Sequence, residues 1–162
     1  MDINAKGIPA RLDDVPNGEC FSFEAGNQVA IGIKISYPTL LESRILILTR
    51  GAGQPPALQG RREARPTVVY KQPTLGVVTG MAPNRLRNGV ANPKPGQIIQ
   101  FEDDVYIGFV DEHDDPSAVS LKTGLINSNP INGPAAVFET WQIAFHGAGE
   151  PQTLFDYTPV AG

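Results

Sequence analysis

A similar β-unit is written twice in this chain, and that repetition constrains the fold more than any other feature. Residues 18–24 read GECFSFE and residues 96–102 read GQIIQFE. A short turn follows each, and then VAIGI at 29–33 answers VYIGF at 105–109. Gly18/Gly96, Phe23/Phe101, Glu24/Glu102, Val29/Val105, Ile31/Ile107 and Gly32/Gly108 coincide with one gap in the turn. Further on, Leu48 and Gly51 match Leu121 and Gly124, Val69-Tyr70-Lys71 aligns with Val137-Phe138-Glu139, and Leu75-Gly76-Val77 aligns with Ile143-Ala144-Phe145. Self-similarity of this kind marks a repeated supersecondary unit.

The units themselves read as strands. Residues 19–24 alternate polar and apolar, the period of a half-buried strand. Val29, Ile31 and Ile33 share one strand face. Ile45 to Leu48 are consecutively apolar, which predicts burial on both faces. Gly32 and Gly108 fall mid-strand, where glycine costs stability and marks a bulge or a close backbone approach. Gly and Pro number 17 and 15 and are dispersed, as many turns between short strands require. No helical period is sustained.

The expected fold is therefore all-β, built from two similar five-stranded units at 18–79 and 96–147. Residues 1–17 read as an N-terminal arm, 80–95 as a linker loop and 148–162 as a C-terminal tail. The units are either tandem small barrels or halves of one pseudo-twofold β-sandwich. Units of about 60 residues are marginal alone, which favours packing them together.

Charge is strongly segregated along the chain. Residues 40–94 carry +7 and residues 95–162 carry −9, within a formal net charge of −4. Such a chain attracts copies of itself head to tail, or attracts a charged partner to one end, unless the two parts fold against each other. Cys20 is the sole cysteine, so no intrachain disulfide forms, and manufacture in a reducing cytoplasm is expected. Cys20 is read as a buried apolar residue. The start MDINAK lacks a secretory pattern, and no apolar run reaches membrane-spanning length.

Catalytic and metal-binding motifs are absent from the sequence. There is no Gly-x-Ser-x-Gly elbow and no phosphate loop. Asp111, Glu112, His113, Asp114 and Asp115 offer hard oxygen ligands but lack the alternating spacing of a calcium loop, so they read as a solvated hairpin tip. His113 and His146 form no zinc pattern. No cofactor and no metal site is expected.

Two features point to binding instead. Arg61, Arg62, Arg65, Arg85 and Arg87, with Lys71 and Lys94, form a basic segment suited to carboxylate or phosphate partners. Without interleaved aromatics, an acidic protein surface or an identical neighbour fits it better than nucleic acid does. The terminal segments carry Ile3, Ile8 and Leu12 at one end and Leu154, Phe155 and Tyr157 at the other, anchors that would lie along a neighbour. By architecture the chain resembles the small β-rich decoration or accessory proteins of phage-like particles. That resemblance implies a non-enzymatic structural role, with partners that are other copies or another structural protein, and incorporation into a virion-like particle. The alternative is a soluble module for a small ligand or glycan, with Trp141 and Tyr106 as stacking groups. A carboxylate-based hydrolase ranks last.

Overall fold

The computed structural model describes residues 7–38, 42–60, 65–71, 75–80, 82–91, 93–127, 131–145 and 152–160. In chain order these contain β1 (Ile8–Arg11), a 3-10 turn (Leu12–Asp14), β2 (Cys20–Ala25), β3 (Gln28–Ser36), β4 (Ser43–Ile47), β5 (Ala57–Leu58), β6 (Val68–Lys71), β7 (Leu75–Thr79) and β8 (Arg85–Arg87). There follow β9 (Val90–Ala91), β10 (Ile98–Phe101), β11 (Asp104–Val110), β12 (Pro116–Ser120), β13 (Ile126–Asn127), β14 (Ile131–Asn132), β15 (Ala135–Phe138), β16 (Trp141–Phe145) and β17 (Gln152–Tyr157). The described residues are thus almost entirely β, with no α-helix among them. None forms a helix long and apolar enough to cross a membrane.

Twelve strands share one sheet. The first half of the chain runs β1-β6-β2-β3-β4-β5, and the second half runs β8-β15-β10-β11-β12-β13. The second order repeats the first. Each half lends its last strand to the other. Ala57 of β5 pairs in parallel with Val110 of β11, and Leu125, just before β13, bridges in parallel to Ser36 of β3. The hydrogen bonds match: the Val110 N–H donates to the Pro56 carbonyl at 3.2 Å, and the Ser36 N–H donates to the Gly124 carbonyl at 2.9 Å. In this way β3, β4, β5, β11, β12 and β13 are linked in a ring whose last join is a single bridge, not a continuous ladder.

The core follows from strand alternation. Ile31, Ile33 and Ile35 of β3, Leu46 of β4 with Leu48 just beyond it, Leu58, Ile107 and Phe109 of β11, Val119 of β12 and Ile126 of β13 belong to one buried cluster. The intervening β4 residue, Ile45, faces the opposite way and packs with Leu12, Val15, Phe21, Phe23, Ala30 and Val69. The second half has a corresponding outer cluster of Ile99, Ile131, Ala135 and Val137. Burial of Ile45, Leu46 and Leu48 agrees with the apolar run read from the sequence.

Two separate five-stranded units are not what the ladders draw. Each half contributes six strands to the common sheet, including β1 from the segment read as an arm and β8 from the segment read as a linker. The next strands, β7 and β16, leave that sheet and pair with each other beside β17. Units this small cannot close an interior alone, so each completes its apolar face with a strand from the other.

The repeat also differs from the sequence alignment in register. Gly18 and Gly96 do correspond: both have φ +88°, and their N–H groups donate to Lys34 and Gly108 carbonyls at 2.8 and 2.9 Å. Lys34 therefore answers Gly108, so Gly32 does not, and Ile33 answers Ile107. The first hairpin is longer, turning after the Ala25↔Gln28 pair, whereas the second turns after Phe101↔Asp104. The slip is an even number of residues, so every side chain stays on its face and the identities survive by pattern alone.

Both mid-strand glycines do mark close approaches. A methyl on Gly32 would meet the Ile45 side chain, and one on Gly108 would run into the Lys94 carbonyl. Gly108→Ala is expected to cost about 3 kcal/mol, because a backbone carbonyl cannot step aside. Gly26→Ala faces open space at φ +64° and is expected to cost only about 1 kcal/mol. Urea unfolding midpoints of the two variants check this ordering.

Candidate interaction surfaces

The terminal anchors are mostly spent on the chain's own body. β1 pairs with β6 from Ile8↔Lys71 to Arg11↔Val68, and Leu12 lies buried against Phe21, Phe23 and Val69. At the other end, β17 pairs with β16. Tyr157 is buried and stacks on Trp141 with ring centroids 4.8 Å apart and planes at 19°. Phe155 tilts against the same indole at 6.0 Å, and Leu154 packs on the main core. Leu12 and Tyr157 are thus not displayed to a neighbour. The reason is that an extended segment beside an open sheet edge satisfies its backbone and buries its apolar face there first. Ile8 is exposed, and Ile3 lies outside the described residues.

The basic residues do not form one patch. Arg65 is exposed and lies with Pro66 and Thr67 beside Arg11, Leu12 and Asp13, at the β1 end of the sheet. Arg85 and Arg87 are exposed on β8, at the opposite end of the strand order. Arg61 and Arg62 lie outside the described residues. Arg85 Nη1 sits 3.3 Å from Glu139 Oε1, and Lys71 Nζ sits 3.9 Å from Glu19 Oε2. Part of the segregated charge is therefore folded against itself, in exposed pairs worth about 0–1 kcal/mol each. Between the two arginines of β8, Leu86 is 78% exposed.

One basic residue that sequence reasoning passed over ties the halves together. Arg44, on β4, is buried and donates to the Gln59 carbonyl at 2.7 Å and to Glu112 Oε2 at 3.4 Å. Its partner belongs to the acidic stretch after β11. An arginine opening an apolar strand was the available signal.

The acidic stretch is a self-capped turn. Asp111 Oδ1 accepts from the His113 and Asp115 N–H groups at 2.8 and 2.9 Å, and Asp114 adopts φ +62°. The first carboxylate is thereby occupied by the backbone it folds. Among the described residues, no three His, Cys, Asp or Glu side chains gather closely enough to hold a metal ion. His146 lies outside the described residues.

The aromatic candidates for ligand stacking are structural in position. Trp141 is buried and its Nε1–H donates to the Gly96 carbonyl at 2.9 Å. Tyr106 is half-buried against the second outer cluster, and burial followed by the nearby Asp104 carboxylate raises its phenol above the usual range.

A cavity of about 310 Å³ opens elsewhere, between the start of β2 and the strand β7. Glu19, Cys20, Ile33, Leu75, Gly76 and Val77 are among its walls. Burial, with the Glu19 carboxylate adding to it, pushes the Cys20 thiol up to about 12, so the wall it forms is neutral at physiological pH. No family model, curated protein or solved structure matches the chain.

The Cys20 shift has a consequence for stability. The unfolded thiol ionises near 9.0, while the folded one resists ionisation to about 12. Stability from this group is full below pH 9 and declines as pH rises toward 12. Cys20→Val is expected to flatten that alkaline decline, measured as urea midpoints across the window.

Proposed function

We propose that the protein is a non-enzymatic structural component that adds to copies of itself or to a larger protein lattice. Its manner would be that of the small β-rich decoration and accessory proteins of phage-like particles. It would be made in a reducing cytoplasm and incorporated into such a particle. The repeated strand order supports an origin by internal duplication, two copies of one unit related by a pseudo-twofold and locked into a single stiff body.

The observation that carries this reading is β8. It is a short terminal strand of the large sheet, with Arg85 and Arg87 exposed on one face and Leu86, 78% exposed, on the other. A partner that wraps this terminal strand can meet the two guanidinium groups with carboxylates on one face and cover the leucine with apolar surface on the other. The second half of this chain supplies acidic surface of that kind, including the exposed Asp114 and Asp115.

Self-association is therefore expected at low ionic strength and is expected to weaken as salt screens it. The double variant R85E/R87E should remove the association while lowering unfolding stability by only about 1 kcal/mol, the cost of losing the exposed Arg85–Glu139 pair. Light scattering at low and high salt reads both effects. A monomer indifferent to salt and to the charge reversal overturns the self-assembly reading.

A further inference from the structure

Strands β7 and β16 lie side by side in an antiparallel ladder from Leu75↔Phe145 to Thr79↔Trp141, with Val77↔Ile143 as its middle pair. The pairing is antiparallel and takes five residues from each strand, so exchanging β7 with β16 leaves it unchanged. The outer edges of the two strands differ. β16 is covered by β17, from Trp141↔Tyr157 to Phe145↔Gln152. The Tyr157 ring fills the space over Gly96, where a Cβ would collide with it. β7 ends its sheet, with no strand on its outer edge among the described residues. The 310 Å³ cavity lies there instead. Among its walls, Gly18 answers Gly96, the residue that Tyr157 covers, while Ile33 answers Ile107 and Leu121 answers Leu48.

We infer that the outer edge of β7 is an acceptor for an extended segment of another protein, which adds as an antiparallel strand and places an aromatic side chain in the cavity. β17 shows the chemistry that fits: an extended strand with apolar residues facing the core, among them Phe155 and Tyr157. A strand edge presents unpaired N–H and C=O groups, so backbone pairing supplies affinity and the cavity supplies selectivity. The edge itself carries no guard. β1 holds Pro9 and Arg11 and β8 holds Arg85 and Arg87, residues that discourage strand addition, whereas β7 reads LGVVT. Gly76 adds no side chain to obstruct an approaching backbone. The occupant comes from a different protein because a second copy has its own β17 engaged: release would unstack Tyr157 from Trp141 and uncover Gly96. The inference is independent of the charged-edge reading above, since it uses neither Arg85 nor Arg87.

The test uses the full chain and a synthetic peptide with the sequence of residues 152–158 as a surrogate strand. Hydrogen exchange of the unmodified protein is followed with and without the peptide. The expected result is at least about tenfold slower exchange at Leu75–Thr79 and around 18–20, with β16 and β17 unchanged. A peptide with serine at both aromatic positions should lose the effect, and V77K should weaken peptide binding by about tenfold or more by placing a charge at the edge. No protection at saturating peptide overturns the proposal. So does protection confined to Trp141–Phe145 and Gln152–Tyr157, which would mean exchange with the chain's own tail. A dimer with Leu75–Thr79 already protected before peptide is added overturns it in favour of a second copy.

Discussion

The structure depends on two parallel contacts, Ala57 with Val110 and Leu125 with Ser36. Each hands the last strand of one half to the central strand of the other. Without them, Ile31, Ile33 and Ile35 on one side and Ile107 and Phe109 on the other would face a half-built interior. With them, both halves bury apolar surface against a common centre, the dominant favourable term in folding. The buried Arg44 reinforces this joint, reaching from β4 to the Gln59 carbonyl and to Glu112 across the halves. It places a charge where it is costly to leave unpaired, so its partners must be held accurately.

Two outer layers follow from that central arrangement. The 3-10 turn after β1 brings Leu12 over Phe21 and Phe23, while Ile131 and Ala135 cover Ile99 in the second half. Glycine is required where the layers press closest. At Gly108 the Lys94 carbonyl lies against the strand, and at Gly96 a tyrosine ring does. The halves diverge where the tail docks. β17, Trp141 and Tyr157 seal one flank, and the matching flank beside β7 keeps a cavity. Internal symmetry thus makes the departure from symmetry the informative part of the surface.

Much of this was legible in the residues. Alternation at 19–24 and 29–33 marked the first hairpin, and the Ile45 to Leu48 run marked a strand covered on both faces. Gly32 and Gly108 announced close approaches, and Asp111 to Asp115 announced a tight turn. The placement of Arg65 away from Arg85 and Arg87 was not legible, because nearness in sequence says nothing about which end of a sheet a strand joins. Nor was the docking of Leu12 and Tyr157, since an apolar residue in a terminal segment looks the same whether it meets its own chain or another.

The sequence alone determined that this chain is β-rich, that its strands recur in one order, and which side chains share a strand face. Those properties are local: they follow from a two-residue period and from turn chemistry. Only the tertiary structure decided that Lys34 and not Gly32 answers Gly108, that the halves exchange strands, and that β17 caps β16 while no strand among the described residues caps β7. A period of two is blind to an even slip and to the identity of a neighbouring edge. Pairings between distant segments are chosen by the burial and hydrogen bonding of the whole chain at once.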